Sequence, residues 1–211
     1  MAGDEAPIAA LIFDMDGLLV DSEPLAERAL TAFLRQHGHA MLPGTMAQTL
    51  GKRLPEAIGL LTEMYALPGE RDELVATYDQ MRLAALRGNL RPMPGAAALL
   101  TFAREAGLRL ALATSSVREH ADLSLTETEL AGLFDAEATG DEVTRGKPEP
   151  DIFLLAARRL DVAPAACVVL EDAPAGLAAA AAAGMRSLWI PNVATAALRP
   201  ATPPTATLPD L

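Results

Sequence analysis

Four short apolar runs, Ile8–Phe13, Arg109–Ala113, Cys167–Leu170 and Ser187–Ile190, set the tightest limit on what this chain can fold into. Each has the length of a strand, and none alternates apolar with polar residues, so each reads as a strand buried on both faces. Segments with helical signals separate the last three. Ala96–Ala106 follows Pro94-Gly95 and stops at Gly107, and Asp151–Leu160 begins behind Pro150 with Asp151 as its expected N-cap. Pro174–Ala183 opens on a proline suited to a first helical turn and closes at Gly184. Strands alternating with helices predict an α/β fold in which helices cover both faces of a parallel sheet.

The stretch from Asp21 to Gly88 interrupts this alternation. Leu25–Gln36, Leu54–Ala66 and Arg71–Leu86 are helical in period, with turn signals at His37–Gly44 and Leu67–Gly69, and no strand pattern appears. The chain therefore reads as a core of residues 1–20 and 91–211 with a helical subdomain, 21–90, inserted after the first strand. Ser22–Pro24 and Gly88–Gly95 are its expected boundaries. The Pro-, Thr- and Ala-rich tail from Pro191 is expected to cross the surface with little regular structure.

Composition removes several classes of function. With a formal net charge of −11 and no Lys/Arg cluster, neither nucleic acid nor an anionic membrane is an expected partner. A small anionic substrate stays compatible, because one local cation can hold a phosphate within an acidic protein. Cys167, the single cysteine, lies in the apolar run CVVL and reads as a buried, inert thiol in a reducing compartment. MAGDEAPI lacks the features of a signal peptide, and no apolar segment is long enough to span a bilayer. A soluble, cytoplasmic protein is expected.

The first three runs end in residues capable of chemistry, and parallel α/β sheets bind ligands at the carboxyl ends of their strands. Asp14 and Asp16 close the first run. Two residues apart on an extended chain, they point to one side about 6–7 Å apart, enough to admit a phosphoryl group between a nucleophile and a proton donor. Gly17 then lets the chain turn sharply. Thr114, Ser115 and Ser116 close the second run with uncharged donors suited to phosphate oxygens. Glu171 and Asp172 close the third, and carboxylates from two strand ends make a hard oxygen site suited to Mg²⁺. Lys147, in RGKPEPDIF, is held extended by Pro148. Taken singly, each has an ordinary alternative: an acidic turn, a turn or cap, a surface lysine, and a helix cap by Asp172.

In order, FDMDGLLVDSEP, ALATSS, GKPEPDIF and LEDAPAG closely resemble the four motifs of the haloacid dehalogenase-like hydrolase superfamily. The resemblance spans nearly the whole chain. It is to the branch with a helical cap after the first strand, which holds sugar-phosphate phosphatases and β-phosphoglucomutases. It implies a Rossmann-like core, a mobile cap over 21–90 and Mg²⁺-dependent phosphoryl transfer. Asp14 would be the nucleophile, forming an aspartyl-phosphate. Asp16 would act as acid and then base, which calls for a raised pKa, and its backbone carbonyl would ligate Mg²⁺. Thr114, supported by Ser115 and Ser116, would bind phosphoryl oxygens, and Lys147 would neutralise charge. Asp172 would hold the metal, with Glu171 as a second or water-mediated ligand.

Departures from the pattern sharpen the expectation. Ala173 stands where relatives usually carry Ser or Thr, removing a hydroxyl near the metal site. Ala26 stands where the mutases carry a histidine that assists transfer to a sugar hydroxyl, which favours hydrolysis. Asp16 argues against dehalogenases, which lack the second aspartate. Gly51-Lys52-Arg53 resembles the cap's substrate-specificity loop, and a solvated pair at a helix start is its ordinary alternative. Arg82 and Tyr78 are weaker cap candidates, and His37, His39 and His120 receive no role. The whole reads as a monomeric Mg²⁺-dependent phosphatase of small phosphorylated metabolites, sugar phosphates foremost. A mutase and a non-catalytic phosphometabolite-binding module are the alternatives.

Overall fold

In the computed structural model, which describes residues 6–211, the apolar runs become parallel strands of a single sheet. β1 (Ala10–Phe13), β2 (Arg109–Ala113), β3 (Ala136–Ala138), β4 (Cys167–Glu171), β5 (Arg186–Trp189) and β6 (Ala206–Thr207) stand in the order β3-β2-β1-β4-β5-β6. β1 lies between β2 and β4, with Phe13 in register with Leu112 on one side and Leu170 on the other. One residue further along, Asp14, Ala113 and Glu171 are level, so the three polar strand ends emerge together. The three apolar runs that matter most are thus neighbours in space.

Between β1 and β2 the chain forms α1 (Glu23–Gln36), α2 (Thr45–Thr49), α3 (Leu54–Tyr65) and α4 (Arg71–Leu86). These helices gather round an apolar cluster of their own, in which Phe33, Leu34, Ile58 and Leu61 are fully buried. Phe33 and Tyr78 join α1 to α4, with ring centroids 5.3 Å apart. Of the core helices, α5 (Ala96–Glu105) leads into β2, while α6 (Arg118–Glu127), α7 (Asp151–Leu160) and α8 (Pro174–Ala182) follow β2, β3 and β4. β1 shows why its run is apolar throughout: Ala10 and Ile12 pack with α7 and α8, while Phe13 packs on the other face with α5 and α6.

Several elements depart from expectation for local reasons. β3, with the sequence AEA, carries no apolar run and is held by pairing with β2. α6 buries His120 and Ser124 beside Ala121 and Leu125, so its inward face does not read as apolar. Asp151 does not cap α7. Pro150 takes the cap position, and the Asp151 carboxylate pairs with Arg145 at 2.8 Å instead. The tail supplies β6, anchored by Thr205 N–H to Ser187 C=O (2.8 Å) and Leu208 N–H to Trp189 C=O (2.9 Å). Cys167 is buried with a free thiol. Among the described residues no helix is long and apolar enough to cross a membrane.

Phe33 tests the separate cluster of the inserted helices. Phe33→Ala removes a fully buried ring and is expected to lower unfolding free energy by about 3–5 kcal/mol in urea titration. A loss below about 1 kcal/mol would show that this cluster is not packed as described.

Candidate active site

A buried lysine organises the strand ends. Lys147 Nζ donates to Asp14 Oδ1 at 2.6 Å and to Glu171 Oε1 at 2.5 Å, and lies 5.0 Å from the Phe153 ring centroid. Its side chain is wholly inaccessible. Burial works against the ammonium, but Asp14 and Glu171 more than offset that and hold its pKa above the ordinary lysine value. Glu171 Oε2 accepts from the Ala173 N–H at 3.0 Å, so both Glu171 oxygens are engaged. Room for this carboxylate comes from Gly176: a Cβ there would fall 1.7 Å from Glu171 Oε1. The sequence LEDAPAG is therefore spaced so that its glycine clears the acid that anchors Lys147.

The carboxyls around this lysine remain short of positive charge. Burial, opposed by Lys147 and reinforced by Glu171, pushes Asp14 up to about 7. Burial and then Glu171, Asp14 and Glu23 push Asp172 well above the ordinary carboxylate range. Asp14, Glu171 and Asp172 each offer an oxygen within 4.8 Å of the others. An all-oxygen donor set with unmet negative charge fits a hard divalent cation such as Mg²⁺. With Glu171 given to Lys147 and the Ala173 amide, Asp14 and Asp172 are the carboxylates best placed to hold it. Asp172 does not cap α8, whose N-cap is Ala173.

Asp16 behaves otherwise. The expectation of a raised pKa is overturned: burial raises it, but Arg82, then the hydroxyls of Ser22 and Ser116, carry it below the ordinary value. Ser22 Oγ donates to Asp16 Oδ1 at 2.6 Å, Ser116 Oγ to Oδ2 at 2.7 Å, and Arg82 Nη2 lies 3.3 Å from Oδ1. Arg82 comes from α4 in the inserted helices, and its Nε is buried without a partner. Sequence spacing marks the cation but not its target, because the contact forms only when α4 packs over the core. His120, given no role from sequence, lies with Nε2 2.9 Å from Asp79 Oδ1 on the same helix.

The three hydroxyl residues of the second strand end divide their work. Thr114 is buried, and its Oγ1 accepts from the Ser116 N–H at 3.0 Å, leaving its hydroxyl hydrogen to donate. Ser116 holds Asp16, and Ser115 Oγ donates to the Gly51 carbonyl at 2.8 Å. That last bond ties the core loop to the inserted helices. Gly51 also abuts Ala173, whose methyl a Cβ at Gly51 would meet at 3.3 Å.

These groups line a cavity of about 80 Å³ between the strand ends and the inserted helices. Asp14, Asp16, Thr114, Ser115, Ser116 and Asp172 face it from the core. Gly51, Lys52, Tyr78 and Arg82 face it from the other side, as does Ala26. Arg53 lies outside its lining. The Arg53 guanidinium bonds to Glu56 and to the carbonyls of Val143 (2.7 Å) and Thr144 (3.0 Å), close to the loop that carries Lys147.

Comparison with known proteins gives the family of the chain. The family model for haloacid dehalogenase-like hydrolases matches residues 8–184. Hexitol phosphatase A of Escherichia coli is 39% identical over 177 residues, covering 82% of this chain and 78% of its own. A phosphorylated carbohydrates phosphatase of Thermotoga maritima is 32% identical over 180 residues, covering 85% and 83%. Among solved structures, CbbY of Rhodobacter sphaeroides in complex with phosphate superposes with a TM-score of 0.83 at 28% identity, over 96% of this chain and 94% of that one. The chain belongs to the haloacid dehalogenase-like hydrolases.

The raised carboxyls would make any cation binding at this cluster depend on pH. Asp14 has an ordinary value of 3.8 and about 7 in the fold, so between these values the metal-free fold carries a proton that the unfolded chain lacks. Its stability therefore falls as pH rises through that window, and a cation replaces the lost proton. Saturating Mg²⁺ is expected to raise Tm more at pH 8 than at pH 5.5 in differential scanning calorimetry. An equal or larger rise at pH 5.5 would contradict the assignment.

Proposed function

We propose that the chain is a Mg²⁺-dependent phosphatase of small phosphorylated metabolites, sugar phosphates foremost, working through an aspartyl-phosphate at Asp14. The observation that carries this reading is the Lys147 ammonium locked between Asp14 and Glu171 beside a cavity that Asp14 lines. The pairing fixes the direction of the Asp14 carboxylate while its other oxygen remains to attack. Similarity to the hexitol and phosphorylated-carbohydrate phosphatases supports a sugar phosphate as substrate.

In the proposed reaction the phosphate monoester enters the cavity with a phosphoryl oxygen accepting from the Thr114 hydroxyl. An Asp14 oxygen attacks phosphorus, the bond to the alkoxide breaks, and the alkoxide takes a proton from Asp16. Water, losing its proton to Asp16, then attacks the phosphoaspartate, releasing phosphate and restoring Asp14. Asp14, Asp172 and the Asp16 backbone carbonyl would hold Mg²⁺, which would supply charge neutralisation for in-line transfer when bound. Glu171 serves by keeping Lys147 on Asp14. For its acid step Asp16 must be protonated, against the pull of Arg82, Ser22 and Ser116 toward its charged form. A movement of residues 21–90 as a cap would carry α4 and Arg82 with it.

Ala26 supports hydrolysis over transfer to a second sugar hydroxyl, since it presents only a methyl group to the cavity. Purified protein with Mg²⁺ is expected to release phosphate from an activated aryl phosphate and to stop on chelation. Asp14→Asn is expected to lower turnover by about four orders of magnitude or more. Retained turnover in that variant would remove Asp14 as nucleophile.

A further inference from the structure

The tail from Pro191 reaches into the site at one residue. Asn192 Nδ2 donates to Asp172 Oδ2 at 2.8 Å and to the Gly17 carbonyl at 2.9 Å. It thus joins the end of the fourth motif to the turn that follows Asp16. The other end of the same amide is fixed: Asn192 Oδ1 accepts from the N–H groups of Ala194 (2.8 Å) and Thr195 (3.1 Å) and from the Thr195 hydroxyl (3.3 Å). With its oxygen committed to the tail's own turn, the amide can present only its NH₂ to the site.

Neighbouring contacts show that this seat is built. Trp189 Nε1 donates to the Asp172 carbonyl at 3.0 Å, and the Ile190 N–H to the Glu171 carbonyl at 2.8 Å. Residues 189–192 therefore hold Asp172 at both its main chain and its side chain. Gly17, at φ +79°, has no room for a side chain, since a Cβ would fall 2.6 Å from both Asn192 Nδ2 and Asp172 Oδ2. A side chain at residue 17 would thus separate the two groups that the clasp brings together.

We infer that Asn192 is a positioning residue for the cation, orienting the Asp172 carboxylate and the 16–17 turn toward a common ion. The inference rests on the reading of Asp172 as a metal ligand. Asn192 takes one Asp172 oxygen, leaves the other for the cation, and pins the peptide next to the Asp16 carbonyl. Hydrogen-bonding partners of this kind change metal affinity by about 10–100-fold when removed.

The probe is Mn²⁺, whose binding to the purified full chain is read directly by the loss of the free-ion electron paramagnetic resonance signal. Asn192→Ala is expected to weaken Mn²⁺ binding by about 10–100-fold, and to raise the Mg²⁺ concentration for half-maximal turnover similarly. Asn192→Ser keeps a short acceptor for the turn but cannot reach Asp172, and it is expected to weaken binding equally. Lowered thermal stability with unchanged Mn²⁺ affinity would overturn the inference, and so would failure of both variants to fold, which would make the residue a structural pin. Absence of Mn²⁺ binding in the unaltered protein would instead overturn the reading of Asp172 itself.

Discussion

The site depends on one ammonium buried among more carboxylates than it can neutralise. Lys147 meets Asp14 and Glu171, and Asp172 stands beside them. Three carboxylates against one lysine leave an excess of two negative charges if all are ionised. Removing one partner of a buried ion pair costs about 3–5 kcal/mol, a large share of the roughly 5–15 kcal/mol that stabilises a typical domain. A chain keeps such a cluster only where the fold holds it firmly, and here the ends of β1 and β4, with the clearance at Gly176, do so. Burial, and then the excess of neighbouring carboxylates, raises Asp14 and Asp172, and a divalent cation would offset that excess.

Asp14 and Asp16 sit two residues apart yet are treated in opposite ways. Asp14 faces a lysine shared with another acid, and burial prevails. Asp16 faces an arginine and two hydroxyls, and these prevail over burial. The largest part of the difference comes from Arg82 of α4, a helix remote in sequence from both. Arg82 from α4, together with the Ser115–Gly51 bond and the Arg53 contacts to residues 143 and 144, makes the inserted helices part of the site's electrostatics.

Much of this was legible in the sequence because strands buried on both faces leave continuous apolar runs, and the polar residues ending them mark the strands' carboxyl ends. Asp14, Thr114 and Glu171 could be placed together on that ground, and Lys147 joined them through the motif around it. β3 was not legible, since AEA has no run to see, and α6 hid behind an inward face that includes His120 and Ser124. Arg82 showed as a cation without a target. Its contact with Asp16, like that of Asn192 with Asp172, belongs to packing between distant segments, which periodicity does not encode. Arg53 illustrates the converse: its neighbours in sequence suggested the cavity, while Glu56 and two core carbonyls hold it elsewhere.

The central proposal is that the Asp14 carboxylate, aimed by Lys147, becomes covalently phosphorylated. Rapid acid quench during turnover of a radiolabelled phosphate monoester, followed by peptide mapping, tests this directly. The expected result is transient label on the peptide containing Asp14, appearing before free phosphate reaches its steady rate. Turnover with no covalent label at any time, or label on another residue, would contradict it.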